Sequence, residues 1–325
     1  GMKEIRIILM GTGNVGLNVL RIIDASNRRR SAFSIKVVGV SDSRSYASGR
    51  NLDISSIISN KEKTGRISDR AFSGPEDLMG EAADLLVDCT PASRDGVREY
   101  SLYRMAFESG MNVVTANKSG LANKWHDIMD SANQNSKYIR YEATVAGGVP
   151  LFSVLDYSIL PSKVKRFRGI VSSTINYVIR NMANGRSLRD VVDDAIKKGI
   201  AESNPQDDLN GLDAARKSVI LVNHIFGTEY TLNDVEYSGV DERSYNANDR
   251  LVTEVYVDDR RPVAVSRIIS LNKDDFLMSI GMDGLGYQIE TDSNGTVNVS
   301  DIYDGPYETA GAVVNDILLL SKVQK

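Results

Sequence analysis

The segment Gly11-Thr12-Gly13-Asn14-Val15-Gly16 constrains this chain more than any other. An apolar run from Glu4 to Met10 precedes it, and Val15, Val19, Leu20, Ile22 and Ile23 follow at helical spacing. A bare Gly-x-Gly-x-x-Gly is a weak signal. A buried strand before it and an amphipathic helix after it give it a mechanism. Gly11 permits the tight turn, Gly13 lets a pyrophosphate approach the backbone, and Gly16 lets the helix pack on the strand. The helix N-terminus then faces the phosphates. Gly11, Thr12, Gly13, Asn14, Val15 and Gly16 are therefore expected to bind a dinucleotide.

The rest of the first half keeps the same rhythm. Strands are predicted at 35–40, 84–89, 112–115 and 138–142, and helices at 95–109 and 120–133. Such alternation argues for an open parallel sheet. The second half changes rhythm. A strand is predicted at 164–171, helices at 174–183, 188–198 and 209–226, and strands at 251–257, 263–270, 276–280, 287–290 and 296–299. Asn294-Gly295 is expected to close a hairpin, since both residues tolerate positive φ. A last helix is predicted at 308–320.

Composition narrows the chemistry. The 325 residues imply about two domains. Lys and Arg total 39 against 43 Asp and Glu, giving a net charge of −4. A protein that lives on nucleic-acid phosphates usually has the opposite balance. The single Cys89 excludes an internal disulfide framework and a multi-thiolate metal site, and two histidines, His126 and His224, exclude most histidine-rich metal centres. No metal ligand set is read from the side chains. Acid–base work falls to Lys, Asp, Glu or Tyr. No run approaches the ~18 apolar residues of a membrane span. The chain is expected to be cytoplasmic, and Gly1 before Met2 reads as a scar of tag removal. The run Arg28 to Arg30 reads as a solvated helix end.

Three further segments bear on function. Asp42, near the end of the second strand, suits the ribose 2′-OH of NAD, whereas Arg44 suits the 2′-phosphate of NADP. Arg50, Lys61 and Lys63 add positive charge nearby in sequence. Cys89 ends a strand beside Thr90-Pro91, at the edge that faces the cofactor in a Rossmann sheet. It reads as a small buried residue, with a nucleophilic thiol as the alternative. The densest constellation is GIAESNPQDDLNGLDAARK, 199–217. Glu202, Asp207, Asp208 and Asp213 crowd a turn and the helix after it, and Lys217 lies four residues beyond Asp213. Carboxylates at a cleft suit an ammonium group, and a lysine there can serve as proton donor.

These segments resemble the homoserine dehydrogenase family. The matching pieces are GTGNVG (11–16), VVTANKSGLA (113–122), EATVAGGVP (142–150), STINYVI (173–179) and AESNPQDDLNGLDAARK (201–217), with GPYETAGAVVNDIL (305–318) matching more loosely. The resemblance is to the short form, without the C-terminal regulatory domain some members carry. It implies NAD(P)-dependent interconversion of L-aspartate 4-semialdehyde and L-homoserine, in threonine and methionine biosynthesis. It implies Lys118 and Lys217 at the reacting carbonyl, with Lys217 the proton donor and Asp213 orienting it. It puts Glu202 and Asp208 around the substrate's amino group and hydroxyl, with Thr174 near the substrate. Thr90 and Lys118 join Asp42 and Arg44 on the cofactor side, with a lean to NADP. A monovalent cation on backbone carbonyls of the EATVAGG segment is implied, as is a homodimer formed through the second domain.

The expected fold class is thus α/β, a Rossmann-type parallel-sheet domain plus an α+β substrate and dimerisation domain. The Rossmann domain is expected over 2–140, rejoined by a C-terminal helix at 308–325, and the second domain over 141–307. No nucleic-acid or membrane partner is expected. Two rival readings are a cysteine-dependent semialdehyde dehydrogenase using Cys89, and an impaired NAD(P)-binding sensor.

Overall fold

The computed structural model describes residues 3–29 and 33–323. Arg30, residue 2 and residues 324–325, touched by the expectations above, lie outside the described residues. The chain divides into two compact units. One runs to Thr144 and resumes at Gly305, and the other is Val145–Asp304.

In the first unit the chain runs β1 (Lys3–Met10), α1 (Asn14–Arg28), β2 (Phe33–Ser41), β3 (Tyr46–Ser48), α2 (Ile54–Thr64), β4 (Leu85–Asp88), α3 (Val97–Glu108), β5 (Asn112–Thr115), α4 (Ser119–Gln134) and β6 (Ile139–Arg140). The strand order is β3-β2-β1-β4-β5-β6. All neighbours are parallel except β2 and β3. β1 explains the run that nucleates this sheet. Lys3, Glu4 and Arg6 are exposed, while Ile7 to Met10 are buried without interruption, as an interior parallel strand requires. Ile7 and Leu9 pack with Val19, Leu20 and Ile23 of α1 and with Val313 and Ile317 from the C-terminal segment in one core. Fully burying each such side chain is worth roughly 1.5–3 kcal/mol.

The sheet reverses its order at β1. The chain passes to β2 on one side and to β4 on the other, so the C-terminal ends of β1 and β4 flank a crevice. Two backbone bonds tie the loops there. Cys89 N–H donates to Met10 C=O at 2.8 Å, and Gly11 N–H donates to Ser41 C=O at 2.9 Å.

The second unit runs α5 (Phe152–Tyr157), β7 (Val164–Ile170), α6 (Ser173–Met182), α7 (Leu188–Lys197), α8 (Gln206–Leu209), α9 (Leu212–Phe226), β8 (Glu236–Tyr237), β9 (Asp249–Asp258), β10 (Arg261–Ser270), β11 (Gly286–Thr291) and β12 (Thr296–Ser300). Its six strands are ordered β12-β11-β7-β9-β10-β8. All pairs are antiparallel except β10 with β8. Leu251 of β9 joins Ile175, Val178 and Ile179 of α6, Val191 of α7 and Ala214 of α9 in one core. The last helix, α10 (Pro306–Val323), belongs to the first unit.

Several elements differ from the sequence reading. Residues 276–280, expected as a strand, hold a 3-10 turn, because the Asp275 carboxylate caps it by accepting Leu277 N–H. The helix expected over 209–226 starts only at Leu212, and Leu209 instead ends the short α8. Gly211, at φ +86°, lies at the break, and a Cβ there would lie 2.4 Å from the Ser238 carbonyl oxygen. In the β11–β12 hairpin only Gly295 takes positive φ. The tight two-residue turn instead joins β9 to β10 at Asp259 (φ +44°) and Arg260 (φ +65°). Of residues 138–142 only Ile139–Arg140 pair as a strand, and Glu142 begins a 3-10 turn.

Candidate active site

The glycine-rich turn is built as its residues dictate. Gly11 sits at φ +90°, and a Cβ on it would lie 2.5 Å from the Cys89 carbonyl oxygen. A Cβ on Gly16 would lie 1.8 Å from the Gly11 carbonyl oxygen, so α1 can approach β1 only with glycine there. Gly13 is different, since nothing lies within 4 Å of the place its Cβ would take. Asn14 and Val15 open α1 directly after it. The Thr12 hydroxyl is buried and has no hydrogen-bond partner among the described residues. An open approach to the backbone, a buried hydroxyl awaiting an acceptor or donor, and a helix N-terminus fit a bound pyrophosphate.

Beyond β2, Asp42 is buried and its carboxylate is heavily engaged. Oδ1 accepts the N–H groups of Arg44 (2.8 Å) and Ser45 (2.6 Å) and the Ser45 hydroxyl, while Oδ2 meets Lys61 Nζ at 2.7 Å. Burial works against ionisation, but Lys61 and the N–H donors outweigh it and hold the carboxyl at about 2. The Arg44 guanidinium donates to the Gly65 carbonyl at 3.2 Å, and Lys61 reaches the same oxygen at 3.2 Å. The sequence showed Lys61 only as one of several nearby cations. Its selection follows from α2, which Asp53 caps and Gly65 ends.

At the end of β4, Thr90 donates its hydroxyl (2.6 Å) and N–H (2.9 Å) to Asp88. Asp88 also receives the Tyr103 hydroxyl at 2.6 Å, and its burial raises its pKa. Cys89 lies between them. Burial, then the neighbouring Asp88, pushes its thiol well above the usual range. A nucleophilic thiol needs the opposite shift, so this site does not prepare Cys89 for attack. Lys118 stands at the head of α4, between buried Asn117 and Ser119.

The second unit gathers other residues. Lys217, in the second turn of α9, has its Nζ 2.5 Å from the Val171 carbonyl and 3.6 Å from Asp213. Val171 directly precedes Ser172, whose hydroxyl is buried without a partner among the described residues. Thr174, in the first turn of α6, donates to the Ile200 carbonyl at 3.3 Å, which ties α6 to the loop carrying Glu202. Glu202 is exposed and Asp208 is half-buried in α8. Asp207 pairs instead with Arg216 at 3.5 Å. One corner thus brings together Lys217, Asp213 and the start of α6. Asn117, Glu99 and Ser172 were not singled out as site residues; Asn117 and Glu99 act through partners distant in sequence, whereas Ser172 enters through a buried hydroxyl with no partner among the described residues.

Two family models match the chain. The NAD-binding domain of homoserine dehydrogenase covers residues 11–142, and homoserine dehydrogenase covers 150–318. A homoserine dehydrogenase from Pyrococcus horikoshii is 30% identical, over 97% of each chain. One from Methanocaldococcus jannaschii is 29% identical, over 96% of this chain and 97% of that one. Among solved structures, a homoserine dehydrogenase from Thermoplasma acidophilum is 99% identical, with a TM-score of 0.96 over 99% of this chain and 100% of that one. A hyperthermophilic archaeal homoserine dehydrogenase in complex with NADPH is 27% identical, with a TM-score of 0.87 over 98% of each.

Proposed function

The chain belongs to the homoserine dehydrogenase family and carries its NAD(P)-dependent activity in amino-acid biosynthesis, and we propose that Lys217 and Lys118 perform its proton and charge chemistry. The carrying observation is the corner that holds the Lys217 amine against the Val171 carbonyl and Asp213, at the head of α6. When bound, the nicotinamide supplies or accepts the hydride at the substrate carbon that bears oxygen. Negative charge grows on that oxygen during reduction. Lys217 donates the proton that quenches it, and Lys118 offers a second positive partner. Asp213, four residues before Lys217 on the same helix face, orients the amine. Glu202 and Asp208 hold the substrate's ammonium and hydroxyl, and Thr174 borders the substrate.

The cofactor reading leans to NADP. Gly11, Thr12, Gly13, Asn14, Val15 and Gly16 would cradle the pyrophosphate, with Thr90 and Lys118 on the same side. Lys61 neutralises Asp42, which leaves Arg44 as the net positive charge of the pocket for a 2′-phosphate. The family's monovalent cation is proposed for backbone carbonyls of residues 142–148. Beside that segment the Asp304 carboxylate accepts the Gly148 N–H at 2.9 Å, which places a negative charge nearby.

The homodimer is proposed through the sheet of the second unit. One face carries Arg166, Glu254 and Tyr256, with Arg166 2.9 Å from Glu254 and stacked 4.4 Å from the Tyr256 ring. Sedimentation at micromolar concentration tests it, and a monomer alone refutes it. Among the described residues no helix is long and apolar enough to cross a membrane. A cytoplasmic location is part of the proposal.

Side-by-side spectrophotometric assays of homoserine-dependent NAD+ and NADP+ reduction, for the wild type and Lys217→Ala, test the mechanism. A variant with wild-type turnover removes Lys217 from it.

A further inference from the structure

We infer that Glu99, buried 18 residues before Asn117, is a positioning residue for Lys118. This rests on the reading of Lys118 as a residue at the reacting carbonyl.

Lys118 is held from both sides. On one side, Asn117 donates its N–H to the Thr115 hydroxyl at 2.9 Å and accepts the Ser119 N–H on Oδ1 at 3.0 Å. On the other, the Ser119 hydroxyl donates to the Ser93 carbonyl at 2.6 Å. Both clamps lead to one carboxylate. Asn117 Nδ2 donates to Glu99 Oε1 at 3.0 Å, and Ser93 gives Glu99 its N–H (2.9 Å) and its hydroxyl. Arg98 adds an N–H at 3.0 Å. Glu99 is fully buried in the first turn of α3, where the helix dipole favours an anion.

The backbones around it are equally constrained. Gly96 (φ +74°) ends 2.7 Å short of the Ser119 carbonyl oxygen if given a Cβ, and a Cβ on Gly120 would lie 2.8 Å from Glu99 Cβ. The heads of α3 and α4 therefore meet with the carboxylate between them. A buried carboxylate is costly unless its hydrogen bonds are all met. Here burial works to raise its pKa, but Ser93 and Asn117 more than offset this and lower it. A hydrophobic residue would fill the space at less cost to folding. What the polar side chain adds is directional hydrogen bonds that fix the backbone on each side of Lys118.

The test compares Glu99→Leu and Glu99→Gln, each alone and combined with Lys118→Ala. Thermal midpoint and the number of NADPH-binding sites report folding. Glu99→Leu is expected to lower kcat about 10–100-fold, as small misplacements do, while the KM for cofactor stays within about threefold. Glu99→Gln keeps an acceptor for Ser93 and Asn117 and should stay within about threefold of wild-type kcat. On the Lys118→Ala background, Glu99→Leu should cost nothing further. Should Glu99→Leu fail to fold, Asn117→Ala, which severs the link, is read the same way. Near-normal kcat in the folded variant, or an equal loss on the Lys118→Ala background, overturns the inference alone. Wild-type turnover by Lys118→Ala overturns both it and the reading beneath it.

Discussion

Lys61 Nζ lies 2.7 Å from Asp42 Oδ2, at the acidic position where a ribose 2′-OH would otherwise find an acceptor. The pair changes what Asp42 can do. Its carboxylate is committed to Lys61, to two backbone N–H groups and to a hydroxyl. A 2′-phosphate arriving here meets an acid already neutralised by Lys61, with Arg44 as the remaining net positive charge. Lys61→Ala should therefore lower the NADP/NAD affinity ratio at least about tenfold, because it uncovers the negative charge of Asp42. Fluorescence titration of NADPH and NADH into wild type and variant reads the ratio directly. An unchanged ratio refutes the role given to Lys61 in masking Asp42. Arg44→Ala should act in the same direction, and a ratio left intact by that change refutes the role given to Arg44.

What the sequence showed and what it hid follow from range. Gly11 and Gly16 are legible because each serves a neighbour a few residues off or a strand the periodicity already marks. Lys61 was not, because its partner is 19 residues away and α2 buries only Ile54 and Ile57, too thin a stripe to read as a helix. Glu99 was missed for the same reason, since only the meeting of α3 and α4 brings it to Asn117. Residues 276–280 are apolar enough to read as a strand, yet one capping carboxylate, Asp275, decides their turn. At the hairpins, the Asn294-Gly295 signal was real but incomplete, and Asp259-Arg260 adopts positive φ with no glycine to announce it.

The corner around Lys217 makes a kinetic prediction. A positioned proton donor contributes roughly 10²–10⁴-fold, so Lys217→Ala should lose at least about two orders of magnitude in kcat. Cofactor affinity should stay near wild type, because no part of the glycine-rich turn is touched. Asp213→Asn should lose less, since the Val171 carbonyl still holds the amine. Steady-state kinetics with both substrates varied separates the two effects. A larger loss in Asp213→Asn than in Lys217→Ala contradicts the assignment.

Cys89 provides the contrast. Its thiol is driven up by burial and by Asp88, so little thiolate forms near neutrality. Cys89→Ser should keep kcat within about threefold of wild type, with any larger cost appearing in stability, because a half-buried hydroxyl replaces a small apolar group. Abolished turnover in a folded Cys89→Ser protein would restore the thiol chemistry that this environment disfavours.

Asp42 also sets an acid-side signature in stability. Its folded-state value, about 2, lies below the ordinary 3.8, so the native protein releases this proton more readily than the unfolded chain. The sign follows: stability from the Asp42 contacts is complete above pH ~4 and drains away as pH falls through 2. The difference in values corresponds to about 2 kcal/mol. Asp42→Asn should therefore be less stable than wild type by roughly 1–2 kcal/mol at pH 7, with the gap narrowing between pH 4 and pH 2. Urea unfolding at pH 7, 4 and 2.5 measures it. A gap that widens on acidification would mean that the Asp42 carboxylate is destabilised by its burial and that Lys61 fails to compensate.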